Sequence, residues 1–275
     1  MAGLVRVAGW EQFAWLRHGF STRAGGVSQV YGPDALNLGW TAEDDPTRVA
    51  ENRRRWTAAV CGGSETKLIT VRQVHGAETR AVKHGEGALE GRLVSAEGKA
   101  VLQGDGLMTN LSGVLLGIQT ADCVPVLVVD PRNRAVAAFH AGWRGTVAKV
   151  VEQGIAAMKK DYGSRAEDLL AAVGPSIGAC CYAVGDDVRG EFDTAFSYAV
   201  ELFREKSGQT GDQINLDMWE ANRRQLIEAG VDPGKIVVVA ECSGCATDDA
   251  GRRRYFSHRM EQGVTGRMMS GIGVI

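Results

Sequence analysis

The 275-residue sequence predicts an α+β fold in which mixed β-sheets carry helices on their outer sides. The first supporting observation is a series of short apolar runs, rich in valine and isoleucine and separated by turn residues, which is typical of strands. The second is a set of longer segments whose apolar residues recur at helical spacing. Because several strands follow one another with no helix between them, mixed sheets are favoured over a strict alternation of strands and helices.

The predicted strands are bounded by turn-forming residues. A hairpin loop is expected at residues 130–134, where the sequence reads DPRNR. The expected strands cover residues 68–74, 77–82, 113–119, 124–129, 134–139, 169–173, 236–240 and 267–275.

Helix ends are marked by capping residues and glycines. The first helix is expected to begin at Asp45-Pro46, a cap followed by proline at the first helical position, and to reach Gly62-Gly63. Ser164 and Glu167 have the spacing of a capping box, which predicts a short helical turn. Gly230 is expected to follow the end of the last helix. The other helices are expected from Val147 to Met158, near 186–199 and near 216–229.

Composition indicates a soluble enzyme. Hydrophobic residues make up 44% of the chain, and 31 basic residues balance 33 acidic ones, so no strong field favours nucleic acid. No run approaches the roughly 20 apolar residues of a membrane span, and the N-terminus lacks a signal-peptide core. Six cysteines without such a signal indicate a reducing compartment. We therefore expect one cytoplasmic domain over residues 1–275, with no nucleic-acid or membrane partner.

Three short motifs place uncommon residues at strand ends. His75 lies in RQVHGA, Cys123 in TADCVPV and His140 in FHAGWRGT. With a hairpin over 130–134, the start of one strand lies beside the end of the next, so Cys123 and His140 are expected at the same end of the sheet. One further strand pairing would bring His75 to them.

Two imidazoles and a thiolate are a natural ligand set for zinc or copper. Three protein ligands leave a fourth position open, as in catalytic zinc sites. Asp122 would then accept a hydrogen bond from the N–H of a metal-bound histidine, from a bound water or from a substrate donor. Each histidine alone is also compatible with a structural role. An alternative on the same residues is a cysteine hydrolase with Cys123 as the nucleophile and His140 as the base.

Other candidates carry weaker signals. Cys242 and Cys245 form one CxxC, which is poor evidence for structural zinc without a second pair. Cys180-Cys181 are adjacent and are not expected to bridge each other. The run 174–178, rich in glycine and proline, is either a ligand-facing backbone or a tight turn. Arginines near glycines or element ends would suit an anionic co-substrate such as phosphate; these are Arg23, Arg144 and Arg259.

Nearly the whole sequence resembles the YfiH-type family, whose members carry the names polyphenol oxidase, laccase-domain protein and purine nucleoside phosphorylase. The matching motifs run in order as HGFSTRAGGVS, LNLGW, DDPTRVAENRRR, RQVHGA, DGLMTN, TADCVPVL, FHAGWRGT, GPSIGACCY, NLDMWEANRRQL and YFSHRM…GVTGRMMS. Two positions depart from the common family pattern: Ala183 replaces an acidic residue and Met260 replaces a basic one.

The resemblance implies a layered α/β/β/α fold with mixed sheets packed face to face. It implies a zinc ion held by His75, Cys123 and His140. The implied activity is phosphorolysis of adenosine, guanosine and inosine, with adenosine deamination and methylthioadenosine cleavage beside it. Asp122 is the expected proton shuttle. The expected substrate-binding residues are Arg23, Gln73, Arg144 and Arg259.

Two other functions stay open at this stage. The metal would be copper if the protein oxidises phenols, although a single three-ligand site offers no clear route to four-electron reduction of oxygen. A role in editing peptidoglycan precursors would use the same pocket for a peptide or sugar-peptide. Substrate ranking and oligomeric state are not set by the sequence.

Overall fold

A computed structural model describes residues 3–63, 66–84, 99–204 and 214–275. These parts of the chain contain short strands and helices in mixed order. The helices are α1 (Pro46–Cys61), α2 (Trp143–Val147), α3 (Val150–Tyr162), α4 (Asp186–Ala195) and α5 (Met218–Glu228). The strands are β1 (Leu4–Val5), β2 (Leu16–Ser21), β3 (Ala24–Ser28), β4 (Lys67–Thr70), β5 (Thr79–Ala81), β6 (Gly106–Thr109), β7 (Val114–Thr120), β8 (Val124–Asp130), β9 (Ala135–Ala141), β10 (Leu170–Val173), β11 (Ala183–Val184), β12 (Phe203–Arg204), β13 (Ile214–Leu216), β14 (Ile236–Val238) and β15 (Met268–Val274).

Two large mixed sheets organise the molecule. One has the strand order β14-β10-β8-β9-β6-β5 and the other β1-β2-β15-β7-β4. The pairs β10–β14, β5–β6 and β4–β7 are parallel, whereas the remaining neighbours in both sheets are antiparallel. A small third sheet has the order β11-β13-β12.

Alternation along β8 shows how the layers form. Leu127 and Val129 belong to the core between the two large sheets, together with Ile118 and Ile272 of the other sheet. The intervening valines of β8 pack into a second core that includes residues of α3, α4 and α5. Because side chains alternate faces along a strand, one strand serves both cores.

The opposite outer face is covered by α1. Trp56 of α1 is fully buried against β15, and a Cβ added to Gly271 would lie only 2.4 Å from the Trp56 ring. Glycine at this position therefore lets the indole lie on the strand. The resulting order of layers is helix, sheet, sheet, helix, which confirms the predicted α+β fold with face-to-face mixed sheets.

Most predicted elements are present, with shifted ends. Asp45 caps α1 by accepting a hydrogen bond from the Thr47 N–H, and Gly230 follows α5 with a positive φ. The predicted strand 68–74 ends at Thr70. Beyond Thr70, the Gln73 side-chain amide hydrogen-bonds to both the N–H and the carbonyl of Gln119, in place of a backbone strand pairing. The predicted helix 186–199 ends at residue 195, and a separate 3-10 turn follows at 199–202. Seven strands were not expected from the sequence: β1, β2, β3, β6, β11, β12 and β13.

The prediction of a capping box at Ser164 is wrong. The Ser164 hydroxyl is buried and has no hydrogen-bond partner among the described residues, although a 3-10 turn does follow at 166–168. Instead, the backbone N–H groups of Gly163 and Ser164 close the end of α3 by bonding to Lys159 and Met158. Ser164 thus belongs to the helix before it, as the residue after a left-handed terminal glycine. Among the described helices, none has the length and apolar character needed to cross a bilayer.

A buried histidine in β2 makes stability depend on pH. The Nε2 of His18 accepts a hydrogen bond from the Val7 N–H at 2.9 Å, which requires the neutral ring. Burial, followed by the charge of Arg6, lowers the pKa of His18 from 6.5 to about 4.

We expect the free energy of unfolding to fall as the pH drops from 6.5 toward 4. In this window the unfolded chain protonates its histidine while the folded chain does not, and the total loss is on the order of 3 kcal/mol. Urea unfolding of wild type and His18→Gln at pH 7.5 and 4.5 measures the difference, and exposed His258→Gln is the control. Identical pH dependence in wild type and His18→Gln would contradict this assignment.

Candidate metal centre and cavity

The three predicted metal ligands come together in the structure. His75 lies in the loop after β4, Cys123 directly precedes β8, and His140 lies in β9. The pairing of Val124 with Ala141 puts Cys123 and His140 at the same end of the sheet. The ligand atoms all lie within 4.8 Å of one another, and the Cys123 Sγ is 4.0 Å from the His75 Nε2. Their role as metal ligands stays a prediction.

Asp105, just before β6, fixes two of these three residues. Its carboxylate lies 2.8 Å from the His140 Nδ1. It also accepts the backbone N–H groups of Val74, His75 and Gly76 at 3.2, 2.9 and 2.7 Å. Because Nδ1 bonds to Asp105, Nε2 is the ring nitrogen of His140 that remains for Cys123 or for a metal. Sequence reasoning missed Asp105, although it begins the DGLMTN motif.

The backbone around the centre is held in uncommon conformations. His75 and Asp122 have φ values of 60° and 86°, a region that side-chain-bearing residues rarely adopt. Such strain costs on the order of 1–3 kcal/mol per residue and is retained where surrounding contacts enforce it. Gly142 lies against the centre, since a Cβ there would be 2.9 Å from the His75 ring and 3.2 Å from the Cys123 Sγ.

Electrostatics favour the thiolate of Cys123. Burial would raise the pKa of Cys123, but the charge of His140 and hydrogen bonds from both histidines outweigh it and lower the pKa to about 6. Burial would likewise lower the pKa of His140, yet Cys123 and Asp105 raise it to about 9. The thiolate is the form of cysteine that binds metals and attacks electrophiles.

Asp122 has partners other than those expected. Its two carboxylate oxygens accept the Ser243 hydroxyl at 2.6 Å and the Arg259 backbone N–H at 2.7 Å. The histidine contact expected of Asp122 is made by Asp105 instead. Asp122 nevertheless lines the same cavity as the three metal-centre residues. Its position is therefore set by two segments near the C-terminus.

A cavity of about 600 Å³ opens beside the metal centre. His75, Cys123 and His140 all line it. Cationic side chains from distant parts of the chain also line this space: Arg72, Lys99, Arg259 and Arg267. Aromatic surface comes from Trp40 and Tyr182, and His258 lines the cavity as well. The cavity thus combines aromatic surface with positive charge next to the three ligands.

The predicted substrate-binding residues fall into two groups. Arg259 and Gln73 line the cavity; Arg259 donates to the Ala183 carbonyl, and the Gln73 amide bonds to the backbone of Gln119. Arg23 instead pairs with Glu261 at 3.1 Å and is not among the residues lining this cavity. Arg144 is exposed, with its guanidinium 4.3 Å from the centre of the Trp143 ring, and does not line the cavity either.

Two cavity arginines were missed by sequence reasoning. Arg72 precedes the RQVHGA histidine by three positions, and Arg267 lies just before β15. Arg267 is part of the GVTGRMMS motif, so the ordered family motifs contained the only sequence signal for it. All substrate-binding roles stay predictions.

A three-ligand set that faces a cavity is the arrangement of a catalytic, rather than a structural, metal centre. The layered fold around it is shared with solved structures. The chain belongs to the family described as multi-copper polyphenol oxidoreductase laccase, whose sequence profile matches residues 17–275. The resemblance seen in the sequence is thereby confirmed.

Relatives of known name cover nearly the whole chain. The purine nucleoside phosphorylase of Deinococcus radiodurans is 40% identical over 94% of this chain and 88% of its own length. The adenosine deaminase RL5, from an unknown prokaryotic organism, is 34% identical over 92% of each chain.

Two solved structures have the same fold. YfiH of Bacillus licheniformis superimposes with a TM-score of 0.86 at 30% identity, covering 99% of this chain and 97% of its own. YlmD of Geobacillus stearothermophilus gives a TM-score of 0.82 at 35% identity, covering 99% and 96%.

If the three residues hold a metal ion, we expect Asp105→Asn to weaken its binding by roughly 10- to 100-fold, because the amide keeps only one of the two acceptor oxygens that orient His140 and the loop at His75. Competition with a chromogenic chelator measures the dissociation constant. Asp130→Asn is the matched control, since Asp130 is also fully buried but serves the hairpin turn after β8. Equal affinity of Asp105→Asn and wild type would show that Asp105 does not support the metal centre.

Proposed function

We propose that this chain is a zinc-dependent purine nucleoside phosphorylase acting on adenosine, guanosine and inosine. Adenosine deamination and methylthioadenosine phosphorolysis are proposed as side activities. The observation that carries this proposal is the convergence of two histidines and a cysteine on a cavity that also contains arginines and aromatic rings. The names of the relatives, several phosphorylases and one deaminase, support the same reaction class.

His75, Cys123 and His140 would hold the zinc. Their donor atoms are close enough for one ion, and the bond between Asp105 and His140 leaves Nε2 available. When bound, zinc supplies Lewis-acid polarisation of oxygen at neutral pH. The N/N/S set also suits copper, which competes with zinc for such ligands. The choice of zinc is therefore itself part of the proposal.

Phosphate would be bound by the cavity arginines. In phosphorolysis a phosphate oxygen forms a bond to the anomeric carbon while the bond to the purine nitrogen breaks. Arg72, Arg259 and Arg267 offer planar groups that bind phosphate through two parallel hydrogen bonds. Their positive charge would also stabilise the anion that approaches the sugar.

Tyr182 and Asp122 would interact with the purine ring. Burial, with a further contribution from the charge of Cys123, raises the pKa of Tyr182 to about 12, so its hydroxyl stays protonated and can donate a hydrogen bond to the departing purine. Asp122 offers an acceptor already ordered by Ser243 and Arg259, which suits a proton shuttle in deamination.

A second function is favoured by one specific contact. Asp105, His140 and Cys123 form the chain acid–imidazole–thiol that activates a nucleophilic cysteine. A cysteine hydrolase would use Cys123 for covalent attack and His140 as the base. The Nε2 of His75 lies 4.0 Å from the Cys123 sulphur, and a cysteine hydrolase would not need a second histidine at this position. The metal centre accounts for all three residues.

Incubation of the zinc-loaded protein with adenosine, inosine or guanosine plus phosphate tests the proposal. We expect free base and ribose 1-phosphate by chromatography, with some inosine formed from adenosine. Removal of zinc should abolish turnover, and zinc rather than copper should restore it. Cys123→Ala should be inactive, whereas Cys61→Ala, which removes a buried thiol on α1, should match wild type.

Absence of phosphate-dependent cleavage with every nucleoside would overturn the proposal. Retained activity in metal-free protein, lost on alkylation of Cys123, would instead support the hydrolase.

Arg267→Gln and Arg259→Gln should each raise the KM for phosphate by roughly 10-fold or more, because a charged hydrogen bond contributes about 1.5–3 kcal/mol. The KM for the nucleoside should change less. Steady-state kinetics with phosphate varied at saturating nucleoside measure this split. Arg132→Gln is the control, because Arg132 pairs with Asp168 on the surface away from the cavity. An unchanged KM for phosphate in both cavity variants would remove these arginines from the phosphate site.

A further inference from the structure

Four cysteines from two distant segments converge outside the metal centre described above. Cys180 and Cys181 precede β11, whereas Cys242 and Cys245 form a turn after β14. Their four sulphur atoms all lie within 4.8 Å of one another. The CxxC therefore has the second pair of cysteines that its sequence context lacked. We call these four residues the cysteine cluster.

The spacing of the sulphurs fits a tetrahedral ion. Zinc–sulphur bonds of about 2.3 Å put tetrahedral ligands roughly 3.8 Å apart. The Sγ atoms of Cys180 and Cys245 are 3.6 Å apart, and no sulphur pair in the cluster exceeds 4.8 Å. Four thiolates with no open position are the ligand set of a structural zinc site.

The backbone around the cluster is shaped to receive thiolates. The Gly178 N–H donates to the Cys242 Sγ at 3.2 Å, and the Gly244 N–H bonds to the same residue. Such N–H groups stabilise negative charge on a metal-bound sulphur. A Cβ at Gly244 would lie 3.0 Å from the Cys181 Cβ and 3.2 Å from its Sγ, so the turn approaches this closely only with glycine.

A disulfide explains this arrangement less well than a metal. One disulfide would bring one sulphur pair to about 2.05 Å, and two disulfides would divide the four sulphurs into two such pairs. The structure instead brings all four sulphurs within 4.8 Å of one another, as one shared ion requires. Cys180 and Cys245 are exposed, so an ion can enter from solvent, while Cys242 is buried beneath them.

We propose that Cys180, Cys181, Cys242 and Cys245 bind one structural zinc ion, in addition to the ion at His75, Cys123 and His140. Binding exchanges the thiol protons for four zinc–sulphur bonds and releases these protons to solvent. The ion joins residues 178–182 to the turn 242–245, two segments that meet only through tertiary structure. It takes no substrate, because its four positions are filled by protein.

Metal counting on purified zinc-loaded protein tests this proposal without any activity assay. We expect two zinc ions per chain in wild type and one in Cys123→Ala. One is also expected in the double variant Cys242→Ser/Cys245→Ser, and none in the triple variant that combines all three substitutions. Cys61→Ala, the control for loss of an unrelated thiol, should keep two.

Zinc-edge X-ray absorption of Cys123→Ala decides the matter even if the cluster variants fail to fold. Four sulphur neighbours at about 2.3 Å would support the proposal. Metal-free Cys123→Ala, a coordination shell with nitrogen or oxygen in place of sulphur, or a disulfide within the cluster by mass spectrometry would overturn it. None of these outcomes depends on whether the protein cleaves nucleosides.

Discussion

The candidate metal centre depends on the buried carboxylate of Asp105. It binds the His140 ring and three consecutive N–H groups of the loop that carries His75. Burial would raise the pKa of Asp105, but these bonds hold it below its ordinary value, so the carboxylate stays charged. One side chain thereby orients the His140 ring directly and fixes the left-handed backbone that presents His75. The cost of burying its charge is offset by this network.

The sheets supply the rigidity that such a centre needs. His140 lies within β9 and Cys123 directly before β8, so their separation follows from strand pairing rather than from a loop. The surrounding side chains of β8 and β9 are buried in the two cores on either side of the six-stranded sheet. The groups that contact substrate in our proposal come mainly from segments outside this sheet. One scaffold can host different activities when the groups that contact substrate lie on the segments around it.

The sequence predicted what local pattern determines and missed what long-range contacts determine. The hairpin followed from two valine-rich runs and a turn, and with it the meeting of Cys123 and His140. The strands β2 and β6 were missed because LRHGFS and GLMT lack a clear alternation of apolar and polar residues. Asp105 and the cysteine cluster were missed because no spacing rule links residues 29 to 65 positions apart. Ser164 illustrates the opposite error, in which a local motif was overridden by the end of the preceding helix.

The hydrogen bond from Ser243 to Asp122 links the cysteine cluster to the cavity. This serine stands between Cys242 and Cys245, so the turn that carries two sulphurs also carries the hydroxyl that aims a cavity carboxylate. The two regions are therefore mechanically one unit, and a shift of the turn displaces the carboxylate with it. A substitution that moves Ser243 within the turn 242–245 would therefore also change the position of the Asp122 carboxylate in the cavity.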